Sequence, residues 1–189
     1  MPDFLYRMCT CINHFVSAVK EIDKNDFFKL TVVDWGSKPP LQETLQLIEG
    51  SSEIVEFINL TEGQIKTISP NLKGIHATLP HNLAIRRSSA KYFFGMGADT
   101  ILTSSSLLSL YNLCENSLAT PYPMSETFLM IERKQIPWRF MNSEPNHLEL
   151  DRIIKLSSFS FKSDSASMHW GGGAGVVGMS IALWKEMEG

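Results

Sequence analysis

Long apolar runs and long basic runs are both missing from this chain of 189 residues. No apolar stretch approaches the roughly 20 residues that a membrane-spanning helix needs, so we expect no integral membrane segment. The formal net charge is −3, and Arg86-Arg87 is the only adjacent pair of arginines in the sequence. Because a surface that follows phosphates needs many clustered cations, we expect no nucleic-acid partner.

Cysteine is scarce, and its placement argues against the common metal and disulfide patterns. The three cysteines are Cys9, Cys11 and Cys114, an odd number without metal-ligand spacing. Cys9 and Cys11 would share one face of a predicted strand, where we expect buried free thiols. The amino terminus also lacks the basic-then-apolar order of a signal peptide. These features predict a cytoplasmic protein.

The familiar hydrolase and metalloprotease patterns are absent as well. The sequence has no nucleophile elbow and no Ser-His-Asp order, and no two of its five histidines have H-x-x-x-H spacing. We expect most of the histidines to be ordinary surface or loop residues. No catalytic residue can therefore be named from such motifs.

The order of the apolar segments predicts an α/β fold. Strands are predicted at Phe4–Cys11, Phe28–Val33, Glu53–Leu60 and Tyr92–Met96, with helices between them. Such alternation is typical of a mostly parallel open sheet flanked by helices, with right-handed crossovers. The length fits a single domain, which we place at residues 1–189.

Helical spacing of apolar residues marks the segments between the strands. It predicts helices at Ile12–Val19, Leu41–Ile48, Leu83–Ala90 and Leu107–Cys114. The stretch Thr61–Pro80 has no strong period and is predicted to be a long loop, which is usually functional or mobile.

The second half of the chain is less regular. A strand is predicted at Glu126–Glu132, and Leu148–Leu156 fits a helix or a strand. Gly173–Gly178 matches G-x-G-x-x-G letter for letter, but the dinucleotide fingerprint also needs a strand directly before it. The preceding residues, Ser165–Trp170, do not form one. We therefore expect a glycine-rich flexible loop over a substrate pocket and no nicotinamide site.

Two acids follow predicted strands, Asp34 after Val32-Val33 and Asp99 after the aromatic run. The carboxyl ends of parallel strands meet at one edge of a sheet, where ligands bind in open α/β folds. An isolated carboxylate beside a flexible turn suits a hard divalent cation that also takes phosphate oxygens. The alternative is structural: Asp34 would bond the amide near Gly36, and Asp99 would cap a helix or close a turn.

Three blocks, in this order and spacing, resemble the nucleotide-sugar glycosyltransferases with the A-type fold. The blocks are Val32–Ser37, Asn82–Tyr92 and Gly97–Thr100, which resemble the nucleoside strand end, the helix under the diphosphate and the D-x-D motif. The closing segment Ser180–Gly189 is similar to a further helix of that family. The resemblance covers nearly the whole chain.

The resemblance implies a metal-dependent glycosyltransferase that moves a sugar from a nucleoside-diphosphate sugar to a hydroxyl of a sugar or glycan acceptor. It implies Mn²⁺ or Mg²⁺ at Asp99. It also implies a nucleotide-binding half at residues 1–102 and an acceptor-side half at 103–189. The implied nucleotide contacts are Thr10, Asp34, Gly36, Ser37, Asn82 and Arg86. The implied acceptor contacts are His169, Trp170, Gly172 and Gly173.

Three departures from the family pattern limit what carries over. Gly97 stands where the first acid of D-x-D usually stands, and His81 where an arginine often precedes the asparagine. The sequence stops at Gly189, so we expect the acceptor-side half to be incomplete and the general base is unknown. The alternative is a non-catalytic domain that binds nucleotide sugars or serves as a scaffold.

Overall fold

The computed structural model describes residues 3–70, 78–116, 123–132, 136, 143–157 and 174–187. In chain order, the elements are α1 (Phe4–Glu21), β1 (Leu30–Asp34), α2 (Leu41–Thr44), a 3₁₀ turn (Ser51–Glu53), β2 (Val55–Asn59), α3 (Glu62–Ile68), α4 (Thr78–Arg87), β3 (Tyr92–Met96), α5 (Ser104–Glu115), β4 (Leu129–Glu132), α6 (His147–Ser157), β5 (Ala174–Ser180) and α7 (Ile181–Glu186). The predicted α/β class is confirmed.

The strands form two small sheets within the part of the chain that the structure describes. Strands β1 and β2 are parallel, with Leu30 opposite Val55 and Asp34 opposite Asn59. The other sheet has the order β3-β5-β4, and both of its pairs are antiparallel. The prediction of one mostly parallel sheet is therefore met only by β1 and β2, and the strands that precede Asp34 and Asp99 lie in different sheets.

The amino-terminal segment is a helix, so the predicted strand at Phe4–Cys11 is wrong. Asp3 caps α1 by accepting a hydrogen bond from the Leu5 amide, and the helix continues for 18 residues through the segment predicted as Ile12–Val19. On a helix, residues two positions apart do not face the same side. Cys11 is accordingly buried while Cys9 is half-buried, and both thiols are free.

Helix α2 is shorter than the predicted helix at Leu41–Ile48 and makes a single turn. After it, Asn13 of α1 bonds the backbone, donating to Gln46 O at 3.1 Å and accepting from Ile48 N at 3.0 Å. These bonds replace the intrahelical ones, since a buried backbone amide or carbonyl needs a partner. The chain then turns at Gly50, whose φ of 77° is left-handed.

The predicted loop at Thr61–Pro80 contains α3 and the first residues of α4. Thr61 caps α3 in a capping box: its hydroxyl accepts from Gln64 N, and the Gln64 side chain accepts from Thr61 N. This pair satisfies amides that would otherwise lack partners at the start of the helix. Helix α4 confirms a helix before β3, although it begins and ends earlier than predicted.

The glycine-rich segment is a strand from Ala174 onward, so the predicted flexible loop is wrong there. Strand β5 is the centre of the antiparallel sheet, and Gly178 lies opposite Phe94. A Cβ atom at Gly178 would come within 2.3 Å of Phe94 Cδ1. The glycine therefore makes room for an aromatic ring.

The main core is shared by α1, both sheets and α5. Its members are apolar and buried, and they include Val16, Val32, Val55, Leu107 and Val176. A smaller cluster joins β5, α4 and α7 through Met179, Ile85, Ile181 and Trp184. The predicted helix at Leu107–Cys114 lies within α5, Leu148–Leu156 is helical, and Glu126–Glu132 contains β4. None of the described helices is long and apolar enough to cross a membrane.

Candidate functional site

Asp99 follows β3 and is joined to α1 by an ion pair. After Met96 the chain turns, and the Thr100 amide donates to Gly97 O at 3.0 Å. Arg7 Nη1 donates to Asp99 Oδ2 at 2.7 Å, and 44% of the Asp99 side chain remains exposed. Asp99 is thus reachable from solvent, but it already has a cationic partner.

At Asp99, the described residues do not form a site that could hold a divalent cation without oxygens supplied by a ligand. No group of three or more His, Cys, Asp or Glu side chains able to hold an ion occurs among them. Asp99 would therefore give an ion one carboxylate, already paired with Arg7.

Asp34 ends β1, and its contacts are those of the structural alternative. Its side chain accepts from Ser37 N at 2.9 Å and from Leu41 N at 2.8 Å. The residue is only 2% exposed. Burial raises the pKa of Asp34, but the hydrogen bonds from Ser37 and Leu41 outweigh burial and leave that pKa lowered. Asp34 holds the loop between β1 and α2 in shape and presents little surface to a ligand.

An open cleft of about 450 Å³ lies at the carboxyl end of β2. Leu60 begins its lining directly after β2, and its amide bonds Asp34 O at the end of β1. Its walls come from α3 and α4 and are mostly apolar. The lining residues are Leu60, Thr61, Gly63, Gln64, Thr67, Ile68, Leu83 and Arg87. This volume is in the range of sites for small molecules and cofactors.

Gly36 and Ser37, two of the predicted nucleotide contacts, lie near this cleft. Gly36 has a φ of 81°, and a Cβ atom there would come within 2.8 Å of Ile65 Cδ1 in α3. The left-handed conformation and the close approach both favour glycine. Ser37 is exposed beside it. The structure therefore brings this predicted loop against the helix that forms one wall of the cleft.

Helix α4 connects the cleft to β3. Leu83 and Arg87, four residues apart on one face, line the cleft, and the His81 ring lies 3.2 Å from a Cβ placed on Gly95 in β3. The predicted contact Arg86 points elsewhere, with its guanidinium 5.4 Å from the Trp184 ring centre. The residue that reaches the cleft is Arg87, one position further on. Asn82, the other predicted contact on α4, is half-buried.

The remaining predicted contacts do not extend this site. Thr10 is buried in α1 and presents little surface to a ligand. The predicted acceptor contacts His169, Trp170, Gly172 and Gly173 lie outside the described residues.

A second cavity, which the sequence did not indicate, surrounds His14. It measures about 60 Å³ and lies between α1, α6 and the start of α5. His14 is buried, and neither ring nitrogen has a hydrogen-bond partner in the described part of the chain. Its Nε2 lies 3.6 Å from Asp151 Oδ1, which is too far for a hydrogen bond. His14 is thus a core residue, contrary to the expectation for most histidines.

Comparison with known proteins adds no relative: no protein-family model, no curated protein and no solved structure matches this chain. Function must therefore be argued from its own residues and their geometry.

Proposed function

We propose that this chain is a glycosyltransferase domain that binds a nucleoside-diphosphate sugar and transfers the sugar to an acceptor hydroxyl. The observation that carries the proposal is the cleft at the carboxyl end of the parallel pair β1–β2. Ligands of open α/β sheets bind at that end of the strands. The three sequence blocks Val32–Ser37, Asn82–Tyr92 and Gly97–Thr100 support an A-type glycosyltransferase fold as part of this proposal.

The cleft suits the nucleoside part of such a donor. Leu60, Ile68 and Leu83 offer apolar surface to a base, while Thr61, Gln64 and Thr67 offer polar groups to a ribose. Arg87 is exposed and lines the cleft, so its guanidinium would meet the negative charge of a diphosphate bound there. Helix α4 would then lead the diphosphate from the cleft towards β3 and Asp99.

The reaction in this proposal is a nucleophilic substitution. The acceptor oxygen forms a bond to the anomeric carbon as the bond to the diphosphate oxygen breaks. The nucleoside diphosphate leaves with the electron pair, and the acceptor proton passes to a base. Cations near the leaving diphosphate lower the barrier because negative charge grows there. For Mn²⁺ or Mg²⁺ the described residues offer a single carboxylate, which is already paired with Arg7.

The non-catalytic alternative is favoured by one specific observation. Asp99 is neutralised by Arg7, and no second acid stands at Gly97. A domain with this arrangement would bind a donor without turning it over. Release of nucleoside diphosphate from the donor, measured with and without a panel of sugar acceptors, distinguishes a transferase from a binding domain.

Thermal melting with UDP, GDP and their sugar conjugates tests the binding step. A ligand present at 100 times its Kd should raise Tm by about 5–10 °C for a chain of this size. Arg87→Gln should reduce the shift, because it removes the cation of the cleft. Arg152→Gln, which removes an exposed arginine of α6, is the matched control and should leave it unchanged. No shift with any nucleotide would reject the proposal.

A further inference from the structure

We infer that Arg7, held by Asp99, takes the place of the divalent cation, so that this site binds a diphosphate group directly and without a metal ion. The inference rests on the proposed function for the identity of the natural ligand. It concerns a charge at one position, where the sequence predicts an ion and the structure places a guanidinium.

Arg7 is positioned for this role by two contacts. Its Nη1 donates to Asp99 Oδ2 at 2.7 Å, and its guanidinium lies 5.5 Å from the centre of the Phe4 ring. The side chain is mostly buried, with 22% of its surface exposed. A guanidinium has five N–H donors in a planar fork, so one bond to Asp99 leaves donors for phosphate oxygens.

The Nε atom of Arg7 provides a further observation in favour of a bound anion. It is buried and has no hydrogen-bond partner within the described residues. Buried donors are normally bonded, and an unbonded one needs an explanation. An anion bound beside Arg7 would supply acceptors to the guanidinium that the protein itself does not.

The position beside Asp99 is unfavourable for a divalent metal ion. It would have to displace Arg7 or lie beside a positive charge, and it would gain one carboxylate. Mg²⁺ and Mn²⁺ favour several oxygen ligands in a fixed geometry. Asp99 therefore acts here as a positioning residue for Arg7.

Titration with pyrophosphate in the presence of EDTA is the direct test. We expect the full chain to bind pyrophosphate in EDTA, and a parallel titration with Mn²⁺ in place of EDTA to give an affinity within about twofold. Arg7→Gln should weaken binding at least about tenfold, since it removes a charge-assisted hydrogen-bond donor. Arg7→Lys keeps the charge but loses the fork, so its loss should be smaller. Arg152→Gln should bind like the parent chain.

Asp99→Asn distinguishes the two interpretations, because they predict different changes in binding affinity. If Asp99 holds a metal ion, the substitution weakens metal-dependent binding. If Asp99 pairs with Arg7, an asparagine still offers an oxygen that can accept from Arg7, while the negative charge that repels an anion is gone. Pyrophosphate binding should then be as tight as in the parent chain or tighter. A tenfold loss in this variant would overturn the inference.

Gly97→Asp offers a gain-of-function control. The position has an ordinary backbone φ, and a Cβ atom there would lie 3.3 Å from Thr100 Oγ1 and 3.5 Å from Asp99 Oδ1. The second carboxylate should weaken metal-free pyrophosphate binding, and Mn²⁺ should restore it. A parent chain that already responds to Mn²⁺ as strongly as Gly97→Asp would contradict the inference.

The same titrations separate this inference from the proposed function. Pyrophosphate binding that depends on Arg7, without tighter binding of any nucleoside diphosphate, would remove the proposed function and keep the inference. Nucleotide binding that depends on Arg87 and Mn²⁺ but not on Arg7 would support the proposed function and overturn the inference. Failure to bind pyrophosphate under any condition would overturn the inference.

Discussion

At the scale of single residues, Asp34 is a carboxylate that stabilises the fold, although it lies at a strand end where ligand binding is expected. Both of its oxygens accept backbone amides, and almost none of its surface is exposed. From the sequence, Asp34 could either contact the nucleoside or accept a hydrogen bond within a turn. The contacts favour the turn bond, because a carboxylate committed to two amides has little capacity left for a ribose.

Asp34→Ala should therefore lower the free energy of unfolding by about 2–3 kcal/mol, because two amides lose their acceptor in a buried position. Urea denaturation followed by circular dichroism measures this loss. Asp26→Ala, at an exposed aspartate, is the control and should cost less than about 0.5 kcal/mol. If Asp34→Ala leaves the stability unchanged but weakens nucleotide binding, Asp34 is a nucleotide contact, as the resemblance implies.

His14 makes the stability of the protein depend on pH. Burial lowers the pKa of His14, and the nearby charges of His147 and Lys155 lower it further, while Asp151 opposes them. The unfolded chain, with an ordinary histidine pKa of about 6.5, then takes up its proton before the folded chain does. Stability is lost as the pH falls below that value and is retained above it.

Thermal melts between neutral and mildly acidic pH should show this loss in the parent chain, and His14→Gln should reduce the dependence. If His14→Gln and the parent chain have the same pH profile, the burial argument is wrong.

At the scale of secondary-structure elements, the local sequence pattern correctly predicted several strands and helices. The apolar runs ending at Asp34 and Met96 are strands, and the periodic residues of α5 are helical. The amino terminus was predicted wrongly because Tyr6, Cys9 and Thr10 favour strands individually. The helical spacing of Leu5, Met8 and Ile12 continues into the rest of α1 and outweighs that preference.

Two further elements were missed although the sequence carries a signal for one of them. Thr61 and Gln64 have capping-box spacing, which predicts the start of α3. The strand β5 has no such signal, since its glycines resemble a loop and only the position of Phe94 explains Gly178. The ion pair of Arg7 with Asp99 joins residues 92 positions apart, so no local pattern contains it.

Substitution at Gly178 tests the packing of the central strand. Gly178→Ala should destabilise the protein by about 1–3 kcal/mol, because its Cβ atom would overlap the Phe94 ring. Gly63→Ala in α3 is the matched control, since nothing lies within 4 Å of the new atom there. It should stabilise the protein by up to about 1 kcal/mol through helix propensity. Phe94→Leu should relieve part of the cost of Gly178→Ala.

At the scale of the whole molecule, α1 joins the two sheets through one core. Val16 is fully buried in the cluster that also contains Val32 of β1 and Val176 of β5. The two sheets share no described strand pairing, so their mutual stability depends on this packing. They should unfold together.

Val16→Ala should therefore reduce amide protection in both sheets by a similar amount, at a cost of about 2 kcal/mol. Hydrogen exchange with mass spectrometry can follow β2 and β5 separately. Leu108→Ala, at an exposed position of α5, is the control and should leave both unchanged. Loss of protection in β2 alone would show that the sheets are independent units.

The buried thiols have a practical consequence for studying this protein. Burial raises the pKa of Cys11 to about 12 and that of Cys114 to about 11, and it also raises the pKa of Cys9. Maleimides and iodoacetamides react with the thiolate, which is scarce at such sites near neutral pH. The native cysteines can therefore remain in place while Arg152→Cys supplies one reactive handle for a fluorophore or a spin label.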